Sequence, residues 1–464
     1  MMERITSGHS RLDRLLGGGL PANGINLVIG HPGTGKTILA EQYMFRNARP
    51  DSKGVYLSTV SEPFDKILRY GESLSFFDRD AIGTSIFFDD LGETVDREGL
   101  AGVLDHVDRV LKEQQPGFVV IDSFKALRPF AADEASFRRF LHDLAGRLTA
   151  VATTTMWIGE YERAQSANAP EFAVADAIIS LAAKRTAERE LRVLQILKLR
   201  GSAFRSGEHA YRINADGVDV FPRLADDLDT ADYALGDARV STGIAALDAS
   251  LGDGPWPGAV TLISGPTGAG KTLISLHFLF EGAAHGEPGV LATFQENRTQ
   301  LARITGAFGW DINDPHLHVL SRSPVDLYVD EWVYDLLGLV EQTGARRVVV
   351  DSLGDLMFAS PDNIRFREMM YSLSQRLSRC GISLMMTHES TELFRVTRLS
   401  EIGMSHIADN VVMLQYVRTE SQVKRALLVL KTRASTHDPE IREFHIRPEG
   451  IVLGDVFDVD QRFD

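Results

Sequence analysis

Two short stretches carry the residue types needed to grip a triphosphate. Gly30, His31, Pro32, Gly33, Thr34, Gly35, Lys36 and Thr37 follow the spacing G-x-x-x-x-G-K-[ST], and so do Gly265, Pro266, Thr267, Gly268, Ala269, Gly270, Lys271 and Thr272. Several backbone N–H groups must converge on phosphate oxygens, so side chains must be absent where the chain wraps. A helix following each loop adds unpaired N–H groups and a partial positive charge. Lys36 and Lys271 are expected to reach the β- and γ-phosphates of ATP, and Thr37 and Thr272 to ligate Mg²⁺ through their hydroxyls. Asp122 and Asp351 end apolar runs, where such a site puts an acid on the metal side, which makes Thr37, Asp122, Thr272 and Asp351 the metal candidates. Glu62 in STVSEPFDK and Glu296 in TFQENRTQL end strands after the loops, and each is a candidate base for aligning water on the γ-phosphate.

The elements that must position these residues are legible as a repeat. Lys36 and Lys271 are 235 residues apart, as are Asp13 and Asp248. VVIDS pairs with VVVDS, and LKLRGS with LKTRAS. A self-similarity this long is the duplication of a whole domain, far longer than a solenoid period. The acidic stretch Pro222 to Asp237 reads as the seam. The expected division is 1–225 for the first domain, 226–238 for the linker and 239–464 for the second. In each half short apolar runs (INLVIG, VTLISG; GVYLSTV, GVLATF; FVVID, RVVVD) alternate with helical spacing (EASFRRFLHDLAGRLTA, FREMMYSLSQRLSR). That predicts an α/β fold with a mostly parallel sheet flanked by helices. FKALRPF and SLGDLMF follow the metal-side strands and are expected to pack the core. Phe308 and Trp310 read as core rather than an adenine border.

Composition narrows the function. The chain has 464 residues, 44% apolar and 24% charged, with a formal net charge of -15. Such an acidic chain argues against broad duplex binding, and no basic, aromatic-interleaved segment tracks a single strand. The one cysteine, Cys380, excludes an intrachain disulfide and suits a reducing cytosol. The start has no apolar core of signal-peptide length, and no run approaches a membrane span, so a cytoplasmic protein is expected. His277, His285, His316, His318 and His388 share no metal-ligand spacing.

The tandem loops, ILKLRGS, MLQYVR, HDPEIREFHI and the near-constant offset resemble the KaiC family over essentially the whole chain. These are double-domain, RecA-like P-loop ATPases related to the circadian clock protein. The resemblance implies a ring of six subunits with ATP between neighbours. It also implies Mg²⁺-dependent hydrolysis in the first domain, and serine/threonine autokinase and dephosphorylation activity in the second. Lys198 and Arg200, and Lys431 and Arg433, match the basic pair that reaches a neighbour's nucleotide. Two cations two residues apart on a strand share a face. The family's paired glutamates read Ser61-Glu62 and Gln295-Glu296 here. Ser405 falls on a phosphorylated serine, His406 replaces the neighbouring threonine, and Ser400 falls on a nearby threonine. The long docking tail is expected to be absent; KaiB-like or signalling partners and a timing role come with the resemblance. Two rivals use the same core: a RecA/RadA-like nucleic-acid-dependent ATPase, and an ATP-dependent assembly scaffold with little catalysis.

Overall fold

The computed structural model describes residues 3–59, 64–161, 169–186, 189–224, 236–360, 362–390, 406–419 and 422–457. Chain contacts divide it into two compact units, Met1–Arg223 and Leu224–Asp464. The first opens with β1 (Arg4–Ile5), α1 (Ser10–Leu15) and β2 (Leu20–Pro21), the two strands forming a small pair of their own. Next, β3 (Ile25–Gly30) leads into α2 (Lys36–Asn47), β4 (Lys53–Ser58) precedes α3 (Phe64–Gly71), and β5 (Ile86–Asp90) precedes α4 (Gly92–Gln114). Then β6 (Pro116–Asp122) passes through a 3₁₀ turn (Phe124–Phe130) to α5 (Glu134–Ala150), β7 (Thr154–Gly159) and α6 (Pro170–Val174). Four strands close the unit: β8 (Ala177–Thr186), β9 (Arg189–Leu199), β10 (Glu208–Asn214) and β11 (Gly217–Phe221).

The second unit repeats this order. It runs α7 (Ala245–Ser250), β12 (Val260–Gly265), α8 (Lys271–Ala284), β13 (Gly289–Thr293), α9 (Arg298–Gly306), β14 (Leu317–Ser321) and α10 (Val329–Thr343). It continues with β15 (Arg347–Asp351), α11 (Leu353–Ala359), α12 (Asn363–Arg379) and β16 (Ser383–Glu389). It ends with β17 (Asn410–Arg418), β18 (Val423–Thr432), β19 (Arg442–Arg447) and β20 (Gly450–Val456).

Each unit carries a nine-stranded sheet, ordered β11-β10-β9-β8-β3-β7-β6-β4-β5 and β14-β13-β15-β16-β12-β17-β18-β19-β20. The strands around β3 and β12 are parallel, and the last four of each unit turn back antiparallel. The sheet is therefore mostly parallel and flanked by helices, as the alternating pattern predicts. Every residue of INLVIG and VTLISG is buried, because helices cover both faces of the central strand. Alternate residues feed separate cores: Leu27 packs with α4 and α5, while Val28 packs with Leu39, Ala40 and Tyr43 of α2. Asp133 and Ser136 form a capping box that starts α5, and Asn297 and Gln300 do the same for α9. Trp310 stacks on Phe280 with ring centroids 4.9 Å apart, and Phe308 joins the same core. Phe124 and Leu127 are buried as FKALRPF predicts, whereas Phe358 of SLGDLMF is 74% exposed.

Candidate functional site

A strand, a loop and a helix mouth build each cradle. Gly30 closes β3, and Gly35 caps α2 in the left-handed region, at φ 89°. Gly265 and Gly270, with φ 107°, hold the same places at β12 and α8. A Cβ at Gly30 would sit 2.2 Å from the Leu181 carbonyl oxygen, so no side chain fits there. Gly33 at φ +77° faces open space within 4 Å, which leaves the loop backbone accessible to an incoming phosphate. Pro32 and His31 are exposed, whereas Thr34 is buried and donates to the His31 carbonyl at 2.8 Å. Pro266 is buried, Thr267 and Gly268 are exposed, and Ala269 fills the core place that Thr34 takes in the first loop.

The lysines fold back over these loops. Lys36 Nζ donates to the His31 carbonyl at 2.8 Å, and Lys271 Nζ to those of Gly265 and Pro266 at 2.9 Å each. Burial pulls both ammonium groups below the usual lysine range. Glu160 and Asp122 oppose this at Lys36, and Glu389 and Asp351 at Lys271. An anion at either loop would offer its lysine full negative charge in place of the weaker carbonyl partners.

Sheet order brings the two strand-end acids to the loops. Asp122 is the last residue of β6, and Thr37 Oγ1 donates to its Oδ2 at 2.8 Å. Asp351 is the last residue of β15, and Thr272 Oγ1 donates to its Oδ2 at 2.6 Å. Hydroxyl and carboxylate oxygens side by side are the hard donors that suit Mg²⁺, which binds through one or two carboxylates plus phosphate oxygens. The residues therefore fit the cation. The peptide bonds after both aspartates, Asp122–Ser123 and Asp351–Ser352, are cis.

The glutamates divide. Glu62 lies outside the described residues. Glu296 does not end its strand: β13 stops at Thr293, and Glu296 sits in the turn before α9, where its Oε2 accepts from Thr293 Oγ1 at 2.9 Å. Phe294 still packs into the same core as Val290 and Ala292, one residue past the strand end. Burial lifts the Glu296 carboxyl above the usual range, the Thr293 hydroxyl partly offsets this, and the Asp351 charge adds to it. Gln295 is exposed and donates to both Asp355 oxygens at 3.1 and 2.9 Å.

The basic pairs stand elsewhere on each unit. Lys198 lies in β9, but Arg200 lies one residue past the strand end, as Arg433 does past β18. Both pairs bond within the chain all the same. Lys198 and Arg200 both donate to the Ala173 carbonyl, at 3.2 and 2.9 Å, and Lys431 donates to Ala408 and Arg433 to His406, at 2.6 and 2.8 Å. Arg200 also pairs with Asp176 at 3.3 Å, and Arg433 with Asp409 at 3.4 Å. The pairing register slips once just before each lysine, between Ile178 and Ile179 and between Val411 and Val412. A bulge of this kind re-aims the side chain that follows it. Ser400 and Ser405 lie outside the described residues.

A family model described as "ATPase: KaiC" matches residues 5–225 and again 240–456. The chain belongs to the KaiC ATPase family. It is an ATP-binding ATPase of that family, with the domain present twice. A KaiC circadian clock oscillator protein from a Picosynechococcus species is 29% identical over 462 residues, covering 96% of this chain and 88% of its own length. The circadian clock protein KaiC3 of a Synechocystis species is 28% identical over 478 residues, covering 98% and 92%. The KaiC oscillator protein of Rippkaea orientalis is 29% identical over 461 residues, covering 96% and 87%. Among the described residues no helix is long and apolar enough to cross a membrane.

Around this KaiC-type core, several residues were missed by sequence reasoning. Glu160 lies one residue past β7 and Glu389 ends the equivalent β16, and both act on the loop lysines. Thr267 Oγ1 donates to Glu389, and Ser264 lies 3.4 Å from His388 Nδ1. Tyr56 donates to Asp122, and Thr387 to Asp351. Aligning WIGE with MTHE by the offset of the VVIDS and VVVDS pair would have exposed the two glutamates.

Proposed function

We propose that each half binds one ATP with Mg²⁺ and hydrolyses it, in a ring, probed most directly by the two cradles. The observation that carries this reading is the repeated triad of loop lysine, loop threonine and strand-end aspartate. In the first half these are Lys36, Thr37 and Asp122; in the second they are Lys271, Thr272 and Asp351. The loop glycines leave room for phosphate oxygens to reach backbone N–H groups. The lysine then leaves its carbonyl partner for the β- and γ-phosphates. Mg²⁺, when bound, would supply charge neutralisation to the phosphates. Thr37 and Asp122, or Thr272 and Asp351, would hold it. Glu62 and Glu296 orient the attacking water and take its proton; the raised carboxyl of Glu296 makes it a stronger base than an ordinary glutamate.

The ring is six subunits, with Lys198 and Arg200, and Lys431 and Arg433, released from their own carbonyls to meet the neighbour's nucleotide. Guanidinium charge delivered across an interface stabilises the transferring phosphoryl group. In the second half, Ser405 is the proposed autokinase acceptor and Ser400 a second candidate. KaiB-like or signalling partners, a timing role and a cytoplasmic location complete the proposal. The test is phosphate release by purified protein in Mg-ATP, coupled to mass spectrometry of the chain and of Ser405→Ala. Release lost in the Lys36→Ala, Lys271→Ala double variant supports hydrolysis at these loops. Phosphate on Ser405 supports the kinase branch, and its absence removes that branch.

A further inference from the structure

The two metal-side aspartates are steadied from opposite sides of their strand. Tyr56 pairs across β4–β6 with Val120, and Leu291 takes the same register place across β13–β15, opposite Val349. Ile158 and Thr387 share a place on the other flank, one residue past Trp157 and Met386, which pair with Ile121 and Val350. In the first half Tyr56 OH donates to Asp122 Oδ2 at 2.5 Å while Ile158 is buried apolar core. In the second, Thr387 Oγ1 donates to Asp351 Oδ1 while Leu291 is buried apolar core. The supporting hydroxyl has moved from one neighbouring strand to the other.

A second exchange accompanies the first. Glu41 lies four residues after Thr37 on α2, on the same helix face, and is 7% exposed. The equivalent residue of α8 is Leu276, which is fully buried in apolar core. The charges of both Asp122 and Glu41 act on the Tyr56 hydroxyl. At this helix position the first half thus has a carboxylate where the second has an apolar side chain, beside one strand-end aspartate and two hydroxyls in each. Thr37 and Tyr56 both donate to Oδ2 of Asp122, so among the described residues its Oδ1 accepts nothing. At Asp351 each oxygen accepts one hydroxyl.

We propose that Tyr56 is a positioning residue for the divalent cation of the first half, that Glu41 adds to the charge holding it, and that Thr387 does the positioning in the second half. The first half accordingly holds the cation more tightly. This rests on the reading of Asp122 and Asp351 as metal-side acids.

The test uses the full chain with Lys271→Ala, so that nucleotide binds at the first loop alone. A fluorescent ATP analogue is titrated in EDTA, and Mn²⁺ binding to the loaded protein is read by electron paramagnetic resonance. Tyr56→Phe keeps the ring on Phe88, whose centroid is 5.4 Å away, and removes the hydroxyl. Its Mn²⁺ affinity is expected to fall about tenfold, as loss of an outer-shell partner does, with nucleotide affinity in EDTA unchanged. Adding Ile158→Thr restores most of that loss by supplying the hydroxyl from the other flank. Glu41→Gln also weakens Mn²⁺. In the reciprocal Lys36→Ala chain, Thr387→Val weakens Mn²⁺, starting from an affinity lower than that of the first half. The proposal is overturned if Tyr56→Phe leaves Mn²⁺ affinity intact. It is equally overturned if nucleotide binding in EDTA falls in step with it, or if Ile158→Thr restores nothing. A Lys271→Ala chain that binds no nucleotide at all overturns the two-site reading beneath it.

Discussion

In the first half a tyrosine reaches the strand-end Asp122 from β4; in the second a threonine reaches the strand-end Asp351 from β16. Beside the loop strand, the first half has Gly159 where the second has His388, whose Nδ1 lies 3.4 Å from Ser264. Yet the lysine, threonine and aspartate keep the same elements and the same mutual contacts in both. The difference teaches which features duplication preserves. Loop shape and strand ends are dictated by backbone geometry that few residues can adopt, so they persist. A carboxylate can be held by a hydroxyl from any neighbouring strand, so its supports drift, and the two sites drift toward different strengths.

Several experiments break or sharpen that comparison. The largest effect is expected at the basic pairs, which the two halves share. Arg433→Ala in a chain carrying Lys36→Ala should lower turnover of the second half on the order of 10³-fold, the scale of an arginine finger. Mixing that protein with Lys36→Ala, Lys271→Ala chains should restore activity, since an intact loop then meets an intact finger from another subunit. Unrestored activity in the mixture would mean that Arg433 serves its own chain through Asp409 and His406.

Next comes the base. Glu296→Gln should lower second-half turnover about 10²-fold with nucleotide affinity intact. Burial holds this carboxyl above its usual range, so turnover should rise with pH through an inflection above that of an ordinary glutamate, and the glutamine variant should lack it. A pH profile unchanged by the substitution would move the role to another carboxylate, with Glu389 the first to examine.

The smallest effect separates the halves most cleanly. Burial and the Lys271 charge hold His388 down to about 4 from an ordinary 6.5, against the pull of Glu389. The folded state therefore favours neutral imidazole. Between those two values the unfolded chain binds more protons, so stability is lost as pH falls through the window. The thermal midpoint of the second unit should drop on acidification from 6.5 toward 4, and His388→Asn should flatten the drop. Gly159 gives the first unit no such dependence. An equal slope in the variant would remove His388 from the account.

Much of this was legible from residue order. The loops, the strand-end aspartates and the α/β alternation follow from spacing and period, because each is a local property of the chain. EASFRRFLHDLAGRLTA is α5 from end to end. What remained hidden depends on which strands lie side by side. Nothing in VYLS says that β4 borders β6, and only that adjacency brings Tyr56 to Asp122. Glu296 was misplaced on its strand because Phe294 continues the apolar run although the backbone has already turned. Arg200 and Arg433 fall one residue past β9 and β18, and period-2 spacing alone does not say where a strand stops.

Counting bound nucleotide tests the central claim most directly. Native mass spectrometry in Mg²⁺ with a non-hydrolysable ATP analogue should find two per chain in the unaltered protein, one in Lys36→Ala, one in Lys271→Ala and none in the double variant. One nucleotide per unaltered chain, or two retained after either single substitution, would contradict it.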